Sequence, residues 1–260
     1  MPMCRAIKKM LVLSVFCIAG CVMPHADASK SGDETVQVAE AAYSIGDYGE
    51  AARLYEVAAL RNPNSVSALI GLGKSYTALS QFSRANNALV RALQLNGRNA
   101  EVHNQLGNLA LMELHPKRAI EHFDAALRLD RKNLSAFTGK AVSLDYLSRH
   151  AEAQEVYREA LKTYPTNFPL MSNYALSMAL SGRIGEGTKL MEELLRDPAR
   201  GDTVRANLAI AYALDGRTRD ARAMLEGLMP PAEIEATLRQ YAVVRKDYLA
   251  GKPIGYLIFQ

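Results

Sequence analysis

A small residue recurs at a fixed spacing of 34 through most of this chain: Ala51, Ala85, Ala119, Ala153, Gly187 and Ala221. Other columns keep the same register. Twelve residues earlier stand Ala39, Gly73, Gly107, Ala141, Ala175 and Ala209, and four residues later stand Tyr55, Leu89, Phe123, Tyr157, Met191 and Leu225. Small residues let two helices approach closely, and the large residue fills the space beside the contact. Turn signals fall between the two halves of each period at Gly46, Ser80, His115-Pro116, Ser148, Gly182 and Gly216. Asn62-Pro63, Asn96-Gly97 and Tyr164-Pro165 separate some periods from the next, since Gly and Pro stop helices. A period of this length means a stacked array of helix–turn–helix units.

These columns resemble the tetratricopeptide repeat family. The resemblance implies an all-α fold: a right-handed superhelix of about six helix–turn–helix repeats over residues 35–230, a capping helix over 231–250 and an apolar tail over 251–260. The fifth unit departs from the pattern, because Gly185 and Gly187 both fall in its second helix, which is therefore expected to be the weakest. The capping helix presents Ile234, Leu238, Tyr241, Val244 and Tyr248 on one side, and solenoids need such a terminal cover.

The N-terminus reads as a lipoprotein signal peptide over residues 1–20. Arg5, Lys8 and Lys9 precede a short apolar run, Met10 to Ala19, too short to span a bilayer. The run ends Ile18-Ala19-Gly20-Cys21, which resembles a bacterial lipobox with Cys21 as the acylated residue; an ordinary secretory signal cut near Ala26 or Ala28, with Cys21 incidental, is the alternative. Residues 21–34 then form a lipidated, flexible tether rich in small and polar residues. Val22 follows the cysteine where inner-membrane lipoproteins commonly carry Asp, so the expected location is the outer membrane, facing the periplasm. All three cysteines lie at or before position 21, which leaves the remainder no intramolecular disulfide and no thiolate metal site. Without residues 1–20 the chain carries 28 basic against 27 acidic residues, giving no electrostatic case for nucleic acid.

Motifs that tempt toward chemistry have plainer readings. Ala68 to Ser75 fits a relaxed phosphate-loop pattern, but the register places Gly73-Lys74-Ser75 inside a helix whose amides are already used. The histidines at 25, 103, 115, 122 and 150 show no metal-ligand spacing and read as surface residues. No Gly-x-Ser-x-Gly elbow occurs. The expectation is a protein that is not an enzyme and has no catalytic residue, cofactor, metal or nucleotide.

In tetratricopeptide arrays the first helix of each unit lines the binding face. Carried onto this sequence, the face comprises Ile70, Lys74, Asn104, Asn108 and Leu111 toward the N-terminal side, and Leu176, Leu180, Ile210 and Leu214 toward the C-terminal side. Asn104 and Asn108 share one helical face and read as groups able to clasp an extended peptide backbone, or as solvated asparagines. The apolar C-terminal part suits an apolar helix or strand of a partner, or burial by the chain's own C-terminus. The tail, Ile254 to Phe259, is the nearest such segment.

The lipobox, the array and its ending together resemble the tetratricopeptide lipoprotein of the tight-adherence (Flp/Tad) pilus assembly system, TadD. Asn173-Tyr174-Ala175-Leu176 is answered by Asn207-Leu208-Ala209-Ile210, and Leu228-Met229-Pro230-Pro231 leads into the last helix. This resemblance implies a non-catalytic outer-membrane assembly factor with protein partners, the pilus secretin among them. A pilotin-like lipoprotein of type IV pili and a scaffold of cell-wall enzymes are the alternatives.

Overall fold

The computed structural model describes residues 34–196 and 201–258. The signal segment, Cys21 and Phe259 lie outside the described residues. Among the described residues the chain is helical throughout. Its helices are α1 (Glu34–Ser44), α2 (Tyr48–Arg61), α3 (Val66–Ala78), α4 (Phe82–Leu95), α5 (Ala100–Met112), α6 (Pro116–Leu129), α7 (Leu134–Tyr146), α8 (His150–Thr163), α9 (Phe168–Leu180), α10 (Ile184–Leu194), α11 (Gly201–Leu214), α12 (Thr218–Leu225), α13 (Pro231–Leu249) and α14 (Gly255–Ile258). They follow one another as six consecutive pairs, α1–α2 to α11–α12, and then α13 and the single turn α14. Two compact units result, one ending at Gly139 and the other beginning at Lys140.

The starts of the first helices are fixed by side-chain caps that share the repeat register. Ser65 Oγ accepts the Ala68 amide at 3.3 Å, and Asn99 Oδ1 accepts the Glu101 and Val102 amides at 2.9 and 3.2 Å. Asn133 and Asn167 do the same for Ala136 and Leu170, each at 2.9 Å. Each cap satisfies an amide that the first helical turn leaves without an intrahelical partner.

The ends of the first helices are fixed by backbone handedness. Gly46, Ser80, Leu114, Ser148, Gly182 and Gly216 all have positive φ, between 57° and 98°. Each stands at the same point of the 34-residue register. At every one, the next residue's amide reaches back to the helix: Asp47 to Ala42, Gln81 to Tyr76, His115 to Ala110, Arg149 to Leu144, Arg183 to Met178 and Arg217 to Tyr212, at 2.8–3.0 Å. This is the Schellman closure, which requires a left-handed residue. The third of these residues is Leu114, one position before the His115-Pro116 signal in the sequence; Pro116 instead opens α6.

The small-residue columns are the close contacts between helices. Ala51, Ala85, Ala119, Ala153 and Ala221 are fully buried, beside Tyr55, Leu89, Phe123, Tyr157 and Leu225. At Gly187 even a methyl would overlap the Ala175 carbonyl oxygen of α9, so the backbones themselves touch. α10 forms across both of its glycines. A Cβ at Gly73 would meet Leu89, and one at Gly107 or Gly139 would meet the Phe123 ring. The phosphate-loop lookalike lies inside α3, where the Ser75 hydroxyl donates to the Gly71 carbonyl at 2.8 Å. The loop conformation that such a motif needs is absent there.

Candidate functional site

The first-helix face differs in character between the two compact units. In the unit ending at Gly139, Ile70 on α3 is half-buried against the core that holds Leu69 and Leu89. Lys74 sets its ammonium 4.8 Å from the centre of the Tyr43 ring, a cation–π geometry. Burial raises the Tyr43 phenol to about 12. Leu111 on α5 is half-buried against the Ala110–Phe123 core.

The two asparagines of this face have different environments. Asn104 is 1% exposed. Its Nδ2 donates to Asn133 Oδ1 at 2.9 Å, the same oxygen that caps α7. Asn104 therefore ties α5 to the cap of the next repeat, within the same compact unit, and its amide hydrogens face inward. Its Oδ1 is buried without a hydrogen-bond partner. Asn108 is half-buried and reaches Gln105 at 3.5 Å. The pair expected to work as one clasp is thus divided: Asn104 serves the fold, while Asn108 stands at the surface.

In the unit beginning at Lys140, the apolar face is already covered. Leu176 and Leu180 on α9, Ile210 and Leu214 on α11, and Val244 on α13 form one buried cluster with Ile254 and Ile258 of the tail. Both tail isoleucines are 2% exposed. The four face residues are therefore buried by the chain's own C-terminus, the second of the two occupants that the sequence allowed.

Two histidine environments depart from the surface reading. His103 on α5 and His122 on α6 face each other with their rings 5.8 Å apart and their Nδ1 atoms at 3.5 Å. Burial lowers the pKa of both. For His103 a backbone hydrogen bond at Gly97 opposes this and Arg128 adds to it; for His122 the neighbouring His103 and Arg118 add to it and Glu121 opposes it. His150 pairs with a buried carboxylate: its Nδ1 lies 2.8 Å from Asp145 Oδ1, which also accepts the Ser177 hydroxyl at 2.7 Å. Burial pushes the Asp145 carboxyl up, while the His150 and Ser177 hydrogen bonds pull it down. The Tyr157 hydroxyl lies beside the same carboxylate without a hydrogen bond of normal geometry. Serine and histidine both engage one carboxylate oxygen, so no imidazole is placed to take the serine proton, and nucleophilic chemistry has no geometry here. Among the described residues no group of three or more His, Cys, Asp or Glu side chains could hold a metal. His25 lies outside them.

The Asp145 cluster was missed in the sequence, although a signal existed. In the 34-residue register Asp145 shares its column with Tyr43, Thr77, Leu111, Ala179 and Ala213. A lone acid in a column with no other charge has to find partners or stay protonated.

Comparison with known proteins agrees with this architecture. The tetratricopeptide repeat model matches residues 38–79, 70–133 and 113–168, together half of the chain. Among curated proteins, an uncharacterised protein y4yS of Sinorhizobium fredii is 38% identical over 69 residues, covering 26% of this chain and 38% of its own length. The BBSome complex member BBS4 of Bos taurus is 29% identical over 136 residues, covering 52% of this chain and 26% of its own. The match thus spans well under half the length of either relative. Among solved structures, the type IV pilus biogenesis factor PilW superposes with a TM-score of 0.65 at 20% identity, covering 78% of this chain and 96% of PilW. A tetratricopeptide repeat protein of Parabacteroides merdae gives 0.63 at 16% identity, with 87% and 96% covered. At such identities these likenesses speak for the fold alone. The helix pairs, their shared register and the family match lead to one statement: this chain belongs to the tetratricopeptide repeat family.

Proposed function

We propose that this protein is a non-catalytic, lipid-anchored scaffold of the outer membrane that serves the assembly of a Flp/Tad pilus, with the secretin or a neighbouring assembly component as its partner. The observation that carries the reading is the joining of a lipobox, Ile18-Ala19-Gly20-Cys21, to a repeat array with this ending. Tetratricopeptide arrays bind protein partners. PilW, a type IV pilus biogenesis factor, is built on the same fold, and a pilotin-like role in a type IV system is the second reading.

The mechanism is one of position. Acyl chains on Cys21 would hold the array at the membrane, each buried methylene contributing about 0.8 kcal/mol. Tethering then raises the local concentration of the first-helix faces around membrane-embedded partners. Two measurements test the reading. Cys21→Ala should move the protein out of the membrane fraction and abolish acyl labelling; unchanged fractionation and labelling would remove the anchor from the account. Deleting the gene should abolish Flp piliation and disturb secretin assembly. Crosslinking in the native envelope should then capture a pilus component; capture of peptidoglycan enzymes with normal piliation would favour a cell-wall scaffold instead.

A further inference from the structure

We infer that the first-helix face of units five and six is a docking site for a partner segment of the form large aliphatic–Gly–x–x–large aliphatic, and that the chain's own Ile254–Ile258 occupies it as an internal stand-in. This rests on the reading of the chain as a protein-binding scaffold, and it names the chemistry that one of its faces recognises.

The tail displays how the site reads a segment. Ile254, just before the short turn α14, and Ile258, its last residue, are four apart and joined by the Ile258 amide donating to the Ile254 carbonyl; both are buried with Leu176, Leu180, Ile210, Leu214 and Val244. The first four of these are two register pairs, Leu176 with Ile210 and Leu180 with Leu214, so α9 and α11 present matching rows to the two anchors. Gly255 lies between the anchors and the end of α7. A Cβ there would overlap the carbonyl oxygens of Asp145 and Tyr146, so the site accepts glycine at this point and rejects a side chain. The Gly255 amide donates to Ser148 Oγ at 3.3 Å.

Two features set the tail apart from the cap proper. The array is already closed by α13, whose Ile234 and Leu238 lie in a different core with Leu208, Tyr212 and Leu225, while Val244 farther along α13 borders the tail's cluster. The tail is joined to that cap through Gly251, at φ +67°, and Pro253. Among the described residues its hold on the face is apolar, apart from the Gly255–Ser148 hydrogen bond. The ion pair beside it, Lys252 with Asp247 at 2.8 Å, closes on α13 itself. A segment offering the same two aliphatic anchors and the same glycine therefore makes the same contacts, and competes against the local concentration that the tail gains from its covalent tether.

The test uses the full chain carrying Gly255→Leu, in which the tail no longer fits, and a fluorescent peptide with the sequence of residues 252–260. The peptide should bind this variant at least about ten-fold more tightly than the parent, whose site is filled. A peptide with its own glycine changed to leucine should bind neither chain. A second opened chain, ending at Gly251, should behave like the first. Equal binding to parent and opened chains overturns the inference, as does no binding to opened chains that keep their helical circular dichroism. Loss of helicity in both opened chains overturns it too, because the tail is then part of the core. So does a parent that exchanges tails between two copies, seen as a dimer by light scattering that the truncation dissolves. None of these outcomes depends on a pilus, and a gene deletion without a piliation defect would leave the peptide result standing.

Discussion

The six left-handed residues offer a quantitative test of the repeat register. Ser80 sits at φ +59° and is exposed, so replacing it by glycine changes backbone energetics with little side-chain packing lost. A residue with a Cβ gives up about 1–2 kcal/mol in the left-handed region. Glycine returns part of that gain, about 0.4–1 kcal/mol, by enlarging the conformational freedom of the unfolded chain. Ser80→Gly is therefore expected to stabilise by about 0.5–1 kcal/mol. Gly46→Ala is the mirror experiment: φ is +85° and a Cβ there meets nothing within 4 Å, so the same magnitude should appear as a loss. Leu114→Gly separates the effects further. Leu114 is 46% exposed, and forfeiting its half-buried side chain costs about 1 kcal/mol, which cancels most of the backbone relief. Urea midpoints of the three variants, compared at unchanged slope, measure these differences. A Ser80→Gly protein less stable than its parent, or a Gly46→Ala protein indistinguishable from it, would refute the argument that handedness at this column limits stability.

The two glycines of α10 should respond in opposite directions. Gly187→Ala places a methyl against the Ala175 carbonyl and should cost about 1–3 kcal/mol by overpacking, whereas Gly185→Ala meets open space and should gain about 0.5–1 kcal/mol in helix propensity; equal midpoints would undo the assignment. Enlarging the fully buried Ala153 to Leu should likewise cost about 1–3 kcal/mol, and a neutral result would contradict the close contact at that column. The His103–His122 pair gives a pH dependence. Both pKa values are lowered from 6.5, so below pH 6.5 the unfolded chain takes up more protons than the folded one. The pair's stability contribution is present above 6.5 and is lost as pH falls toward the folded values. Denaturation curves at about pH 7.5 and about pH 5.5 should converge more closely in His103→Gln/His122→Gln than in the parent; an identical acid loss in both would assign it elsewhere.

The repeat was legible because packing imposes it on residue size. A close helix crossing admits only Ala or Gly, and that demand returns at every unit, so the columns headed by Ala51 and Tyr55 carry the architecture by themselves. The caps follow the same logic where the residue is Asn or Ser. Leu114 escaped because its conformation is set by the closure around it, against its own preference. Asn104 was legible as a face residue but not as a bonded one. Its partner, Asn133, lies 29 residues on, at the cap of the next repeat, and only the folded array brings the two side chains together. Asp145 escaped for a related reason. His150 is near it in sequence, but Ser177 reaches the carboxylate from another helix. The tail was readable as a greasy segment near a greasy face, whereas the notch at Gly255 belongs to the carbonyl geometry at the end of α7.

The invariance of the left-handed column also bears on how such a gene can change. From Gly46 to Gly216 the interval between successive left-handed residues never varies, so every joint sits in phase with every other. Loss or duplication of one whole unit in frame leaves that phase intact, and the flanking helices meet equivalent neighbours across the new junction. Loss of a single codon inside a helix does the opposite: it turns every small residue on one side of the deletion by about 100° relative to the other, away from its crossing point. The coding sequence is thus free to lengthen or shorten by units while each unit's interior resists any insertion or deletion at all.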